Sequence, residues 1–262
     1  MQVEDFAYLY ELEEQFWWFA GMRDVTAALL DPVITPAANQ RALDAGCGTG
    51  ANLAWLRRYT NNVIGLDIEP AALDFCRLGN HTNLMRASAT HVPCLDKSLD
   101  IVTSFDVLVQ IPGQDSGEMA LREIYRVLRP GGICFVRVAA YEWMRSGHDA
   151  ALATQRRYTL PELKTGMTAA GFEIVRATYA NTILLPVAVL RRLALKRLGL
   201  ADAGSDVKPL PRGLQPVNRL LINALRLEAR FLARNHARLP FGLSAICVGR
   251  KPESISRGGT RG

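Results

Sequence analysis

Short apolar runs alternate with amphipathic stretches along most of the chain, and this alternation predicts strands separated by helices. The predicted strands are apolar at most positions, which is typical of parallel strands covered on both faces. They lie at residues 41–46, 62–67, 83–88, 99–106, 133–138, 172–180 and 244–250. Helices are predicted near residues 51–59, from Pro70, near 117–129 and at 160–170. The sequence therefore predicts an α/β fold with a doubly wound, mainly parallel, seven-stranded sheet.

Two segments fall outside this alternation. Residues 1–40 are acidic and rich in aromatic side chains, and they are predicted to form an N-terminal helical cap. Residues 181–240 are predicted to form a basic helical insertion before the last strand. The core domain is then expected at residues 41–180 together with 241–252. Residues 253–262 contain a single apolar side chain, Ile255, and are expected to form a disordered tail.

Composition narrows the class of protein. With 49% apolar and 21% charged residues, the chain has ample material for a core. Its acidic start does not resemble a secretory signal, and its longest apolar stretch, residues 177–190, is shorter than the roughly 20 residues of a membrane span. The five cysteines lie far apart and lack the spacing of a zinc site. These features predict a cytoplasmic protein with reduced thiols and no metal.

The positive charge of the chain is concentrated near its C-terminus. The net charge is +6, but residues 176–262 alone carry 16 Lys and Arg against 4 Asp and Glu. Such a block favours contact with an anionic partner, which could be nucleic acid, lipid headgroups or a phosphorylated substrate.

The strongest local motif is a glycine-rich turn after the first strand, Asp44-Ala-Gly-Cys-Gly-Thr-Gly50. Glycines let a ligand approach the backbone closely, and this turn lies at the ligand-binding edge of an open α/β sheet. Spaced as Gly46-x-Gly48-x-x-Ala, the turn matches a dinucleotide fingerprint, with Asp67 following at the distance of a ribose partner. Alternatively, Asp44 receives an ammonium group and the glycines admit an amino-acid moiety.

Further motifs follow in order along the chain. They are the acid that ends the second strand, Pro93 followed by Ser98-Leu-Asp100-Ile-Val, and Asp106-Val-Leu. Together with the turn, they resemble the class I S-adenosylmethionine-dependent methyltransferases over residues 40–180 and the last strand. The resemblance implies a Rossmann-like methyltransferase fold and transfer of a methyl group from S-adenosylmethionine to an O, N or C atom of a small-molecule or lipid-linked acceptor. The alternatives are a non-catalytic protein that binds S-adenosylmethionine or S-adenosylhomocysteine, and an NAD-dependent oxidoreductase.

The resemblance also implies a set of cofactor-binding residues. Asp67 would bind the ribose hydroxyls and Ile68 would cover the adenine. Ser88 stands where the family usually has an acid, so the backbone of Ala89 is expected to bind the adenine amino group. The methionine portion would be bound by the turn and by residues after the fourth strand, namely Asp44, Gly46, Gly48, Gly50, Asn52, Phe105, Asp106 and Gln110.

An aromatic motif precedes the core domain. Phe16-Trp17-Trp18-Phe19 and Arg23 are similar to the W-W-F-x-x-R lead-in of a bacterial small-molecule methyltransferase subgroup. The similarity implies that Arg23 pairs with the methionine carboxylate and that Trp17 meets the sulfonium through cation–π attraction. In the alternative interpretation, these rings only pack the capping helix.

A candidate catalytic segment follows the fifth strand. His148-Asp149, together with Arg157 and Tyr158, resembles an H-D…R-R-Y-T segment of the same subgroup. The resemblance implies catalytic roles for His148, Asp149, Arg157 and Tyr158, with His148 as a candidate general base. Alternatively, His148 and Asp149 fix the loop and Arg157 pairs with an acid.

The insertion is expected to select the acceptor. Its basic amphipathic stretches, within residues 183–238, have three interpretations: packing with solvated arginines, a lid over a hydrophobic acceptor, or a helix on the anionic inner membrane face. Nucleic acid is disfavoured because the segment lacks aromatic side chains placed for base stacking. Nothing in the sequence determines the oligomeric state.

Overall fold

The computed structural model describes residues 3–190 and 215–253. Its strands are β1 (Arg41–Ala45), β2 (Asn62–Asp67), β3 (Leu84–Arg86), β4 (Leu99–Phe105), β5 (Leu128–Ala139), β6 (Glu173–Ala180) and β7 (Ser244–Arg250). They form one sheet in the order β3-β2-β1-β4-β5-β7-β6. β7 runs antiparallel to both of its neighbours, and the other paired strands are parallel. The predicted doubly wound, mainly parallel sheet is confirmed.

Helices cover both faces of this sheet. They are α1 (Val3–Leu12), α2 (Trp17–Leu30), α3 (Ala51–Leu56), α4 (Pro70–Leu78), α5 (Ser116–Val127), α6 (Gly147–Ala151), α7 (Leu160–Ala169) and α8 (Gln215–Leu232). Within the described residues, no helix is both long and apolar enough to cross a membrane.

Alternation of side chains along the strands divides the core into two layers. In β5, Cys134 and Val136 join the layer beneath α5 and α7, whereas Ile133 and Phe135 join the layer beneath α2, α3 and α8. Successive side chains of a strand point to opposite faces, so one apolar strand contributes to both layers. This explains why the predicted strands are apolar at most positions.

The N-terminal helices and the insertion pack against each other. The backbone amide of Trp17 donates to Asn218 Oδ1 at 2.9 Å, and Asn218 Nδ2 donates to the Gln15 carbonyl at 3.0 Å. The missing side chain of Gly21 lets Leu225 approach α2, since a Cβ at Gly21 would overlap the Leu225 side chain. Two segments far apart in sequence therefore form one helical layer.

The N-terminal segment contains two helices, with a break between Leu12 and Trp17. One predicted boundary differs from the structure. The helix predicted near residues 117–129 ends at Val127, and the strand predicted at 133–138 already begins at Leu128, so Pro130-Gly131-Gly132 lie inside β5. Gly131 adopts a φ of +79°, and its backbone amide donates to the Lys251 carbonyl. These three residues therefore extend the pairing of β5 instead of forming a separate turn after the helix. Residues 191–214 of the predicted insertion and 254–262 of the predicted tail lie outside the described residues.

Candidate functional site

The glycine turn and the last residue of β2 meet at the carboxyl edge of the sheet. The backbone amides of Gly46 and Cys47 donate to the Leu66 carbonyl at 2.7 and 2.9 Å. The amide of Gly48 donates to Asp67 Oδ2 at 2.9 Å. These bonds hold the turn against the end of β2, so the two motifs that the sequence separates by about 20 residues form one site.

The glycines of the turn differ in what surrounds them. Gly46 has a φ of +88°, and a Cβ there would overlap Val107 Cγ2. Gly48 also lies in the left-handed region, with a φ of +54°, but a Cβ there would meet nothing within 4 Å. Gly46 is therefore required by packing, whereas Gly48 leaves open space beside its backbone in which a ligand can lie.

One buried oxygen of Asp44 has no partner among the described residues. Asp44 is fully buried, and its Oδ1 accepts a hydrogen bond from Thr103 Oγ1 at 2.7 Å. Within the described residues, Asp44 Oδ2 makes no hydrogen bond. Burial raises the pKa of Asp44 to about 7. Buried polar atoms are normally paired, so this oxygen indicates a ligand that can donate a hydrogen bond.

Asp67 lies beside the same space at the end of β2. Its Oδ1 accepts a hydrogen bond from the Glu69 amide at 3.0 Å, and each carboxylate oxygen keeps further acceptor capacity. Burial raises the pKa of Asp67. The next side chain, Ile68, is 58% exposed and offers an uncovered apolar surface.

The segment after β3 approaches this end of β2. The Ala87 amide donates to the Asp67 carbonyl at 3.1 Å, which places Ser88 and Ala89 beside the site. The Ser88 hydroxyl is hydrogen-bonded to Thr90 Oγ1 at 2.8 Å and accepts from the Thr90 amide. Ser88 is thus engaged within its own turn.

The connection between α1 and α2 reaches the glycine turn. Glu13 Oε2 accepts a hydrogen bond from the Ala51 amide at 3.3 Å, and Glu13 lies beside Thr49. Burial raises the pKa of Glu13 to about 7 and lowers the pKa of Arg23. The Arg23 guanidinium donates to the Glu14 carbonyl at 3.3 Å. The N-terminal segment therefore brings Glu13 to the turn, with the Arg23 guanidinium within electrostatic reach of its carboxylate.

An ion pair between a buried arginine and a partly buried aspartate lies just after β4. Asp106 Oδ2 accepts from Arg137 Nε at 2.8 Å and from Arg137 Nη2 at 2.7 Å. The guanidinium carbon of Arg137 lies 4.6 Å from the centre of the Trp18 ring and 5.1 Å from that of Phe105. Arg137 thereby joins Trp18 of the cap to β4. Gln110 lies one turn further on, and its backbone amide donates to the Val107 carbonyl at 2.8 Å.

Left-handed backbone conformations occur near the ends of three strands. Asp106 directly follows β4, Tyr141 lies two residues after β5, and Asn181 directly follows β6, with φ values of +58°, +60° and +60°. A left-handed conformation is unfavourable for a bulky residue such as Tyr141, and such strain is found most often at functional sites. All three residues lie on the same edge of the sheet as the glycine turn.

Several known proteins are similar to this chain. A family model described as a methyltransferase domain matches residues 43–136. Methyltransferase GfsG of Streptomyces halstedii is 26% identical over 73% of this chain and 66% of its own length. The malonyl-[acyl-carrier protein] O-methyltransferase of Serratia marcescens is 30% identical over 61% of this chain and 64% of its own length. The match thus spans slightly less than two thirds of either relative.

A solved structure extends the likeness over nearly the whole chain. The structure of an S-adenosylmethionine-dependent methyltransferase from Archaeoglobus fulgidus superposes with a TM-score of 0.59, at 18% identity, and covers 93% of this chain and 100% of that one. Residues 43–136 match the methyltransferase domain family, and the whole chain has the fold of the S-adenosylmethionine-dependent methyltransferases. The glycine turn and Asp67 lie within the matched residues, at the carboxyl edge of the sheet.

The candidate catalytic segment is held by a buried ion pair. Asp149 Oδ1 accepts from Arg157 Nε at 2.7 Å, and Arg157 Nη1 donates to the Ala140 carbonyl at 2.9 Å. Tyr158 is buried, and its hydroxyl lies 3.5 Å from the Leu108 carbonyl. His148 lies in α6, and its side chain is outside what the structure describes. The structure therefore brings Asp149, Arg157 and Tyr158 together, and their catalytic roles stay predictions.

Two residues of the site were not predicted from the sequence. Arg137 lies inside an apolar strand, and Glu13 is one of three neighbouring acids, with Glu11 and Glu14 exposed. The lone arginine in an apolar run was a usable signal, because a buried charge needs a partner. No local signal distinguishes Glu13 from its neighbours, since only its contact with the turn does so.

Proposed function

We propose that the chain transfers a methyl group from S-adenosylmethionine to a small-molecule or lipid-linked acceptor. The observation that carries this proposal is the unpartnered, buried Oδ2 of Asp44, in the strand that leads into the glycine turn. An ammonium group would supply the missing donor, and S-adenosylmethionine carries one at its amino-acid end. The proposal extends the match of residues 43–136 to the activity of the whole protein.

The residues present fit the rest of this cofactor. Asp67 can accept hydrogen bonds from both ribose hydroxyls, which is a charge-assisted and bidentate contact. The exposed Ile68 can cover one face of the adenine, and the backbone of Ala89 can bind its amino group. The glycine turn from Gly46 to Gly50, with Asn52 in the following helix, holds the amino-acid end, whose carboxylate pairs with Arg23.

Charge disfavours a dinucleotide in the same place. A pyrophosphate on this turn would lie beside the carboxylates of Asp44 and Glu13, and like charges in a buried site repel strongly. Asp44 would also keep an unpartnered oxygen, because a diphosphate offers acceptors and no donors. The NAD-dependent oxidoreductase is therefore the weaker hypothesis.

Catalysis then depends mainly on alignment. The bound cofactor supplies a methyl group on a sulfonium, which is already an activated leaving group, so the protein must orient the acceptor and exclude water. The rings of Trp17 and Phe105, together with Asp106 and Gln110, would line the methionine portion.

We further propose that the Asp149–Arg157 pair and Tyr158 hold the loop that carries His148. His148 would take the proton of an oxygen or nitrogen acceptor. The pair is well suited to this holding role, because both of its side chains are almost fully buried and the bonds of Arg157 reach the end of β5.

The acceptor side is apolar and basic. Trp143 is 64% exposed and stacks on Tyr141 just after β5, with the ring centres 5.6 Å apart. On α8, Leu220 and Leu227 are exposed, with Arg219 and Arg226 beside them. Such a surface favours an acyl or lipid-linked acceptor, and the Serratia marcescens relative is named for an acyl-carrier substrate. It also supports a cytoplasmic enzyme whose insertion rests on an anionic inner membrane face.

Two measurements test the proposed function. Calorimetry should show binding of S-adenosylhomocysteine and no binding of NAD, and the Asp67→Ala variant should bind S-adenosylhomocysteine more weakly. Incubation with S-adenosylmethionine labelled on its methyl group and a panel of acyl, lipid-linked and small-molecule acceptors should yield labelled product. Binding without transfer to any acceptor would favour the non-catalytic alternative, and tight NAD binding would overturn the proposal.

A further inference from the structure

The carboxylate of Glu13 reaches the glycine turn from outside the core domain. It accepts a hydrogen bond from the Ala51 amide at 3.3 Å and lies within hydrogen-bonding reach of the buried Thr49 hydroxyl. The ring of Tyr10 packs against that of Phe75 in α4, with the centres 5.3 Å apart, which supports α1 next to the turn. Glu13 is therefore placed by the packing of α1 and is not a mobile surface side chain.

The charges around Glu13 have a definite arrangement. Arg23 on α2 is the cation whose field acts on Glu13, while Asp44 in β1 is a second carboxylate within electrostatic reach. The bond from the Ala51 amide leaves the Glu13 carboxylate with further acceptor capacity. Two carboxylates and one guanidinium thus lie within electrostatic reach of one another at the glycine turn, and one of the carboxylates has an unpartnered oxygen.

We propose that Glu13 is a cofactor-binding residue, whose carboxylate and that of Asp44 together bind the ammonium group at the amino-acid end of the cofactor. The inference rests on the proposed function and adds to it a contact from the N-terminal helices. Arg23 would bind the carboxylate of the same amino-acid end, so the cap supplies a complement to both charges of a zwitterion. A ligand without that zwitterion would gain nothing from Glu13.

A purely structural role explains the arrangement less well. A neutral side chain could accept hydrogen bonds from Ala51 and Thr49, whereas a buried carboxylate near Asp44 costs electrostatic energy in the free protein. Burial raises the pKa of both acids, and the charge of Glu13 raises the pKa of Asp44 further, which is the expected sign of that cost. A bound ammonium group would offset this electrostatic cost, because its positive charge would lie beside the two carboxylates.

The contact also couples the cap to the ligand. If Glu13 binds the ammonium group, the same free energy that improves cofactor affinity must stabilise the docking of α1 and α2 on the turn. Full-length protein with S-adenosylhomocysteine should therefore show slower amide hydrogen exchange in residues 5–20. Methylthioadenosine, which has the same nucleoside but no amino-acid end, should not produce this protection.

The decisive experiment compares Glu13→Gln with Glu14→Gln in the full chain. Glutamine keeps a hydrogen-bond acceptor for Ala51, so folding is retained, and Glu14 is an exposed neighbour that controls for loss of one charge near Arg23. Calorimetry should show that Glu13→Gln weakens S-adenosylhomocysteine binding by about 10-fold or more, because a hydrogen bond to a charged group is lost. Methylthioadenosine should bind wild type and Glu13→Gln equally, and Glu14→Gln should bind both ligands like wild type.

Three other outcomes would contradict the proposed role of Glu13. Equal affinity of wild type and Glu13→Gln for S-adenosylhomocysteine would overturn the inference while leaving the proposed function intact. An equal loss of affinity for both ligands would also overturn it, since Glu13 would then support the turn and not the ligand. Wild-type protein that binds neither ligand would overturn the proposed function and this inference with it.

Discussion

Asp67 Oδ2 accepts a hydrogen bond from the backbone amide of Gly48 at 2.9 Å. This bond joins the end of β2 to the most open point of the glycine turn. A ligand that binds the Asp67 carboxylate therefore binds a group whose position is fixed by its hydrogen bond to the turn. The two halves of the site are connected before any ligand binds.

Replacing Asp67 by alanine should weaken the binding of S-adenosylhomocysteine by about 1.5–3 kcal/mol, because charge-assisted hydrogen bonds to the ribose are lost. Calorimetry at one pH measures the change. Glu69→Ala is the matched control, since its side chain is exposed two residues further along. Unchanged affinity in Asp67→Ala would remove this residue from the cofactor site.

Alanine at Gly46 and at Gly48 should have different effects. Gly46→Ala places a methyl group against Val107, so it should lower the free energy of unfolding as well as the affinity. Gly48→Ala meets no protein atom within 4 Å, so it should cost only the left-handed backbone, about 1–2 kcal/mol, while its methyl group fills the ligand space. Chemical denaturation and calorimetry on both variants check this. Equal cofactor affinity in Gly48→Ala and wild type would contradict the assignment of the space.

Cofactor affinity should rise with pH. Burial raises the pKa of Asp44 and of Glu13 to about 7, and only the ionised carboxylates attract an ammonium group. Affinity for S-adenosylhomocysteine should therefore increase from about pH 6 to about pH 8. Asp44→Asn should bind weakly with a flatter profile, and methylthioadenosine should show no such rise. A profile that falls with pH would show that the carboxylates do not bind a cation.

The stability of the free protein should also depend on the ionisation of Asp44. Unlike cofactor affinity, this stability should fall as pH rises. Because the folded-state pKa of Asp44 lies above its ordinary value of 3.8, its protonated form favours folding at low pH. That contribution is lost as pH rises through about 7. The unfolding free energy of Asp44→Asn relative to wild type should thus increase from about pH 4 to about pH 8, by up to a few kcal/mol at about 1.4 kcal/mol per pKa unit. Urea denaturation across this range measures the difference, and a constant difference would contradict it.

Substitutions of Arg157 and of His148 in the candidate catalytic segment should have different effects. Arg157→Ala leaves the buried Asp149 without its guanidinium, so it should destabilise the protein by about 3–5 kcal/mol. His148→Ala should reduce turnover and spare both stability and S-adenosylhomocysteine binding. Thermal unfolding, calorimetry and a methyl-transfer assay distinguish the variants. Full turnover in His148→Ala would exclude His148 as the general base.

Sequence reasoning was most successful where the signal is local. Strands and helices follow from the periodicity of apolar residues, and the glycine turn follows from residues adjacent in the chain. The predicted start of the fifth strand at residue 133 was wrong, because Gly131 pairs with Lys251, far along the chain. A turn signal in sequence cannot show whether a distant strand will recruit the same residues into a sheet.

The amino-acid sequence by itself determined the α/β class, the order of the strands along the chain, and the residues that the turn and the end of β2 contribute. Only the tertiary structure decided that Glu13, and not Glu11 or Glu14, reaches the turn, that Arg137 pairs with Asp106 beneath Trp18, and that α2 packs on α8. The reason is physical. Periodicity and turn chemistry act between neighbours in the chain, whereas the position of a buried charge depends on contacts between segments that meet only when the chain folds.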